Sequence, residues 1–95
     1  MEVTCDFTSG SARLDNRCKA KLDEVGLRMK DKPSSTAQVT GYDEAKGTQR
    51  MAEQRAQGVK NYLVTRHGID PSRITTEGQV SDKRAATVVL TIPVP

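Results

Sequence analysis

Ala37-Gln38-Val39-Thr40-Gly41-Tyr42-Asp43-Glu44-Ala45-Lys46-Gly47, with Met51-Ala52-Glu53-Gln54-Arg55-Ala56-Gln57-Gly58-Val59 and Tyr62-Leu63 beyond it, is the stretch that decides the fold. Ala37 to Thr40 leads into Gly41 as a short strand. A polar loop is expected from Tyr42 to Gly47. After it, Met51 or Ala52, Ala56, Val59 and Leu63 fall on one face of a helix, with Tyr62 flanking the stripe. His67-Gly68 predicts its end: a basic side chain near the negative end of the helix dipole, then a glycine suited to left-handed backbone.

Outward from this unit the same alternation of strand and helix continues. Asp70-Pro71-Ser72-Arg73 reads as a turn, Ile74-Thr75-Thr76-Glu77 as a short strand, Gly78 to Ala86 as a polar connection, and Thr87 to Ile92 as a β-branched strand. Towards the N-terminus, Val3-Thr4-Cys5-Asp6-Phe7 alternates with a period of two and reads as the first strand. After Thr8-Ser9-Gly10-Ser11, apolar residues at Leu14, Cys18, Leu22, Val25 and Met29 draw a helical stripe. Lys32-Pro33 ends that helix, because proline disfavours helical geometry in the residue before it and has no N–H to donate. The order is β-α-β-α-β-β, and helices crossing between strands imply a two-layer α/β sandwich with a mixed four-stranded sheet. Strand order does not follow from the pattern.

The chain of 95 residues has no long low-complexity stretch or internal repeat, and is expected to form one domain over residues 1–95. Only 35% of residues are hydrophobic, and one Phe, two Tyr and no Trp leave the core to aliphatic side chains. Fifteen Lys plus Arg against twelve Asp plus Glu give a net charge of +3. That excess favours polyanions without fixing which, but scattered basic residues and few aromatics supply a poor base-stacking platform, so no nucleic-acid partner is expected. No apolar run approaches the roughly 20 residues that span a bilayer, so contact with a membrane is expected only through a parent protein. No signal-peptide pattern follows Met1, so an exported form would have lost its targeting segment or belong to a longer protein. His67 lacks a partnered acid and nucleophile, no acidic pair has the spacing of a hydrolase, and two Cys with one distant His are too few for zinc. Neither catalysis, a cofactor nor a metal is expected.

Gly41-Tyr42-Asp43-Glu44-Ala45-Lys46-Gly47, Arg55-Ala56 with Val59, and Gly68-Ile69-Asp70-Pro71-Ser72-Arg73-Ile74 with Gly78 resemble the signature of the OmpA-like, peptidoglycan-associating domain family. The family's pattern is Gly-Tyr/His-Thr-Asp, two residues, Gly, then Leu-Ser, two residues, Arg-Ala, two residues, Val. Val3-x-Cys5-x-Phe7 and the helix holding Leu22-Asp23 extend the resemblance over essentially the whole chain. It implies noncovalent binding of the diaminopimelate-type stem peptide of peptidoglycan, in the periplasm, by a domain of an exported or outer-membrane protein. An acidic side chain would accept from the ligand's ammonium, and the fork of an arginine would donate to its carboxylate.

Carried onto this sequence, the resemblance makes Asp43, Glu44 and Arg55 the candidate ligand-binding residues, framed by Gly41, Tyr42 and Gly47. Glu44 stands where the family has its Asp, and Asp43 where it has Thr, so either is a candidate acceptor. The spacing from Gly47 to Met51 is about four residues shorter than the family's, roughly one helical turn. The family's Asn is missing there, and Val80 stands where a second glycine is common. Ala86-Thr87 replaces a basic pair, while Lys83 and Arg84 just upstream are possible secondary contacts. These departures keep an alternative open, an OmpA-like scaffold that has lost peptidoglycan and serves as a structural or interaction domain. The plain alternatives for single residues are an ion pair of Arg55 with Glu53 or Asp43, and a solvated surface for the rest.

Cys5 points with Val3 and Phe7 to the core, and Cys18 lies on the buried stripe, so a Cys5–Cys18 disulfide is expected, in keeping with an oxidising periplasm. Two separate buried thiols acting as small apolar residues are the alternative. The oligomeric state is not legible.

Overall fold

A computed structural model describes residues 1–44 and 49–93, and its elements follow the expected alternation. They are β1 (Glu2–Asp6), α1 (Asn16–Asp31), β2 (Thr36–Asp43), α2 (Gln49–His67), a 3₁₀ turn (Pro71–Arg73), β3 (Ile74–Val80) and β4 (Ala85–Thr91). β2 runs on through Tyr42 and Asp43, and β3 through Gly78 to Val80, where polar loops were expected. β4 spans Ala85–Thr91 where Thr87 to Ile92 was expected, and β1 Glu2–Asp6 where Val3 to Phe7 was expected.

The four-stranded sheet has the order β1-β4-β2-β3. β4 pairs antiparallel with both β1 and β2, whereas β2 and β3 are parallel. A parallel pair needs a crossover, and α2 supplies it. Both helices cover one face: Ala37 and Val39 of β2 and Ala86, Val88 and Leu90 of β4 are buried with Leu22, Val25 and Met29 of α1 and Ala56, Val59 and Leu63 of α2. The alternate residues Thr36, Gln38, Val89 and Thr91 are exposed. This is the expected two-layer α/β sandwich with a mixed sheet.

α2 lies close against the sheet at Gly41 and Gly78, where the strands beneath it carry no side chain. Gly41 and Gly78 are partners across the β2–β3 ladder. A Cβ on Gly41 would overlap the Ala52 carbonyl oxygen and stand 2.8 Å from Ala56 N, and one on Gly78 would stand 2.6 Å from Glu53 Cγ. Gly41→Ala therefore pushes helix backbone against strand backbone. We expect it to lower stability by about 1–3 kcal/mol, measured by urea unfolding. Gly68, with φ +67°, ends α2 in the left-handed region as expected.

Two polar clusters fasten α1. Arg73 donates to the carbonyls of Met29 (2.7 Å), Lys32 (3.0 Å) and Ser35 (3.0 Å) and to Ser35 Oγ (2.9 Å), satisfying the open carbonyl end of the helix. Asp23 accepts from Tyr62 Oη at 2.7 Å and lies 2.8 Å from His67 Nε2, which ties α1 to the end of α2. Hydrogen bonds first from Tyr62 and then from His67 hold the Asp23 carboxyl below its ordinary value, and the same contact raises the Tyr62 phenol. A carboxylate lowered on folding stabilises above its unfolded pKa, and that stability disappears as pH falls through the folded value. Between about pH 4 and pH 2 the protein is expected to lose more stability than Asp23→Asn, which is less stable at pH 7 but flatter with acid. Paired urea titrations across that range check it; parallel curves contradict it.

Candidate functional site

The end of β2 delivers Tyr42 and Asp43, and α2 delivers Arg55 from the middle of its buried stripe, between Ala52 and Val59. Arg55 and Asp43 do converge. Arg55 Nη1 donates to Asp43 Oδ1 at 3.0 Å and to the Tyr42 carbonyl at 2.7 Å. Its Nε donates to the Ser11 carbonyl at 2.9 Å and its Nη2 to the Thr8 carbonyl at 3.2 Å. The Phe7 ring lies against the guanidinium, 5.2 Å from Cζ to the ring centre.

The Arg55 side chain is 0% exposed and that of Asp43 10%. The resemblance implies an arginine fork open to a ligand's carboxylate, and here the structure corrects it: Arg55 and Asp43 contact each other directly, with no space for an amino-acid head between them. The physical reason is the loop between β1 and α1, which folds over the guanidinium and offers it two carbonyls. Burial of this cation is tolerable because every donor group finds an acceptor. No buried side-chain nitrogen or oxygen among the described residues lacks a partner.

Outside this buried pair stands an open, charged rim. Glu44 accepts from Ser9 Oγ at 3.2 Å and lies 3.6 Å from Arg84 Nε. Both side chains of that ion pair are about half exposed, 46% for Glu44 and 49% for Arg84. Lys83 Nζ sits 4.8 Å from the centre of the Tyr42 ring. Two backbone bonds fix the β3–β4 turn here, from Ser81 N to the Asp43 carbonyl (2.6 Å) and from Phe7 N to the Arg84 carbonyl (2.8 Å). The structure thus brings Gly41, Tyr42, Asp43, Glu44, Arg55, Lys83 and Arg84 into one neighbourhood. Gly47 lies outside the described residues.

Lys83 and Arg84 reach the rim from the turn that enters β4. The contribution of Thr8 and Ser11 was missed, since a carbonyl acceptor has no side-chain signature; only the alternation that buries Phe7 hinted that this loop turns inward. A separate open groove of about 650 Å³ lies between α2 and β3, lined by residues including Gln49, Glu53, Gln57 and Thr76, and none of the charged rim residues lines it. No group of His, Cys, Asp and Glu among the described residues is arranged to hold a metal ion. The expected disulfide is present, joining Cys5 to Cys18 with Cα atoms 5.0 Å apart.

Comparison with known proteins places these residues in a family context. The OmpA family model matches residues 6–89. Probable lipoprotein YiaD of Escherichia coli is 36% identical over 76 residues, which are 76% of this chain and 34% of that protein. Outer membrane protein Omp38 of Acinetobacter baumannii is 27% identical over 90 residues, 90% of this chain and 25% of that protein. The chain therefore spans about a quarter to a third of the length of these relatives. In fold, it is similar to the peptidoglycan-associated lipoprotein of Burkholderia pseudomallei, with a TM-score of 0.83 and 16% identity over 93% of this chain and 89% of the other.

Proposed function

This chain belongs to the OmpA family, and on that premise we propose that it binds peptidoglycan noncovalently and reversibly, through the dipolar end of a diaminopimelate-type stem peptide. In this reading it anchors an exported or outer-membrane parent protein to the wall from the periplasm. Its likeness in fold to a protein named as peptidoglycan-associated is in keeping with this. The single observation that carries the residue roles is the open Glu44–Arg84 rim built over a buried Asp43–Arg55 pair.

The roles follow from exposure. Arg55 is the pin that holds Tyr42 and Asp43 in place. Glu44 accepts from the ligand's ammonium, and Arg84, helped by Lys83, donates to its carboxylate. An exposed ion pair is worth about 0–1 kcal/mol, so a ligand that supplies both charges opens Glu44–Arg84 at little cost. Each contact is weak, and repetition along the wall polymer together with tethering of the parent protein raises the effective affinity.

Cosedimentation with purified sacculi tests this reading. The wild-type chain is expected to pellet, and Glu44→Ala/Arg84→Ala to pellet about tenfold less, the effect of losing two charge-assisted contacts of roughly 0.7 kcal/mol each. Equal pelleting removes the assigned roles, and a wild-type chain that stays in solution removes the function. One observation favours the second reading, a scaffold without ligand: Arg55 is spent on Asp43 and on three of the protein's own carbonyls. Under that reading neither protein pellets.

A further inference from the structure

We propose that the Cys5–Cys18 disulfide, beyond its contribution to stability, is a positioning element of the ligand site. This rests on the wall-binding reading above. The bond joins β1 to the first turn of α1 and so closes the loop from Asp6 to Arg17 at its base. That loop touches each charged member of the site but Asp43 and Lys83. Thr8 and Ser11 offer their carbonyls to Arg55, Ser9 Oγ donates to Glu44, and Phe7 N donates to the Arg84 carbonyl. Asp43 is reached at one remove, through Arg55.

Between β1 and α1 the closed loop has no helix or strand to keep its shape. Bonds from Ser11 N to the Thr8 carbonyl (3.1 Å) and from Arg13 N to Ser11 Oγ (3.1 Å), with the Asp15 cap on Cys18 N (2.8 Å), are its internal ties, and residues Thr8 to Gly10 are exposed. Both sulfur-bearing residues are buried, at 1% and 2% exposure, so the closure is a fixed part of the folded protein. Without it the loop samples many more conformations. The acceptors of Arg55 and the partner of Glu44 would then be ordered only when ligand arrives, and each immobilised group weakens binding.

The test uses the whole chain and a purified disaccharide tetrapeptide containing diaminopimelate. Binding to wild type and to Cys5→Ala/Cys18→Ala is measured by calorimetry at a temperature where both are fully folded, alongside the hydrogen-exchange rate of the Arg55 Nε–H. The expected result is a Kd about tenfold weaker in the variant, with faster Arg55 exchange. An unchanged Kd in a folded variant overturns the proposal and leaves wall binding intact, since a purely stabilising disulfide does not alter affinity once folding is complete. Absence of binding by the wild type overturns both. Should the variant fail to fold, Thr8→Gly/Ser11→Gly keeps the disulfide and loosens the same loop; a weaker Kd supports the proposal and an equal one refutes it.

Discussion

Arg55→Ala is expected to lower the free energy of unfolding by about 3–5 kcal/mol, the range for breaking a buried ion pair by removing one partner. The guanidinium is fully enclosed and has four acceptors, of which three are main-chain carbonyls and one is the Asp43 carboxylate. Alanine takes a donor from each of the four and opens a cavity beside Phe7. Arg55→Lys keeps the charge but not the fork that reaches both sides of the site, and is expected to recover only part of the loss. Urea unfolding of the three proteins measures this, and a change below about 1 kcal/mol for alanine would mean the pair is open to water. It also follows that lost wall binding in Arg55→Ala cannot by itself be read as a lost ligand contact. Glu44 and Arg84, half exposed, are the cleaner probes.

Loss of the disulfide has the next largest expected effect. Cys5 and Cys18 are separated by 13 positions, and closing a loop of about 15 residues stabilises by about 3 kcal/mol in the chain-entropy account. In a chain with three aromatic residues, one Phe and two Tyr, this is a large share of the total. Cys5→Ala/Cys18→Ala is expected to melt about 15 °C lower by calorimetry, given the usual sensitivity of a domain of this size. Equal melting temperatures would mean that the unfolded chain is already compact around this loop.

The alternation of Val3 to Phe7, the stripes from Cys18 to Met29 and from Ala52 to Leu63, and the stops at Pro33 and Gly68 made the order of elements and their layering legible. Strand order was not, because it depends on which hydrophobic faces meet in space. The boundaries of β2 and β3 moved for different reasons. Tyr42 and Asp43 read as loop because a carboxylate rarely ends a buried strand, yet Arg55 neutralises it there. Thr75 to Val80 lacks an apolar alternation because β3 is an edge strand with mostly exposed side chains. In the site, the family pattern singled out Arg55, Asp43 and Glu44, and the first two meet in an ion pair. Their division into a buried pin and an open acid was hidden, since it is set by the Thr8 and Ser11 carbonyls. The same applies to Arg73, whose place in the pattern was visible and whose service to the carbonyl end of α1 was not.

The central claim is that a locked Asp43–Arg55 pair holds an outward acid and base ready for a dipolar peptide end. Titrating isotope-labelled protein with the diaminopimelate-containing muropeptide, while following backbone amides and the Arg55 Nε–H, addresses it most directly. The account predicts saturable shifts at Asp43, Glu44, Lys83 and Arg84, with the Arg55 Nε–H still protected from exchange. Unmoved signals at millimolar ligand, or shifts confined to the groove between α2 and β3, would contradict it.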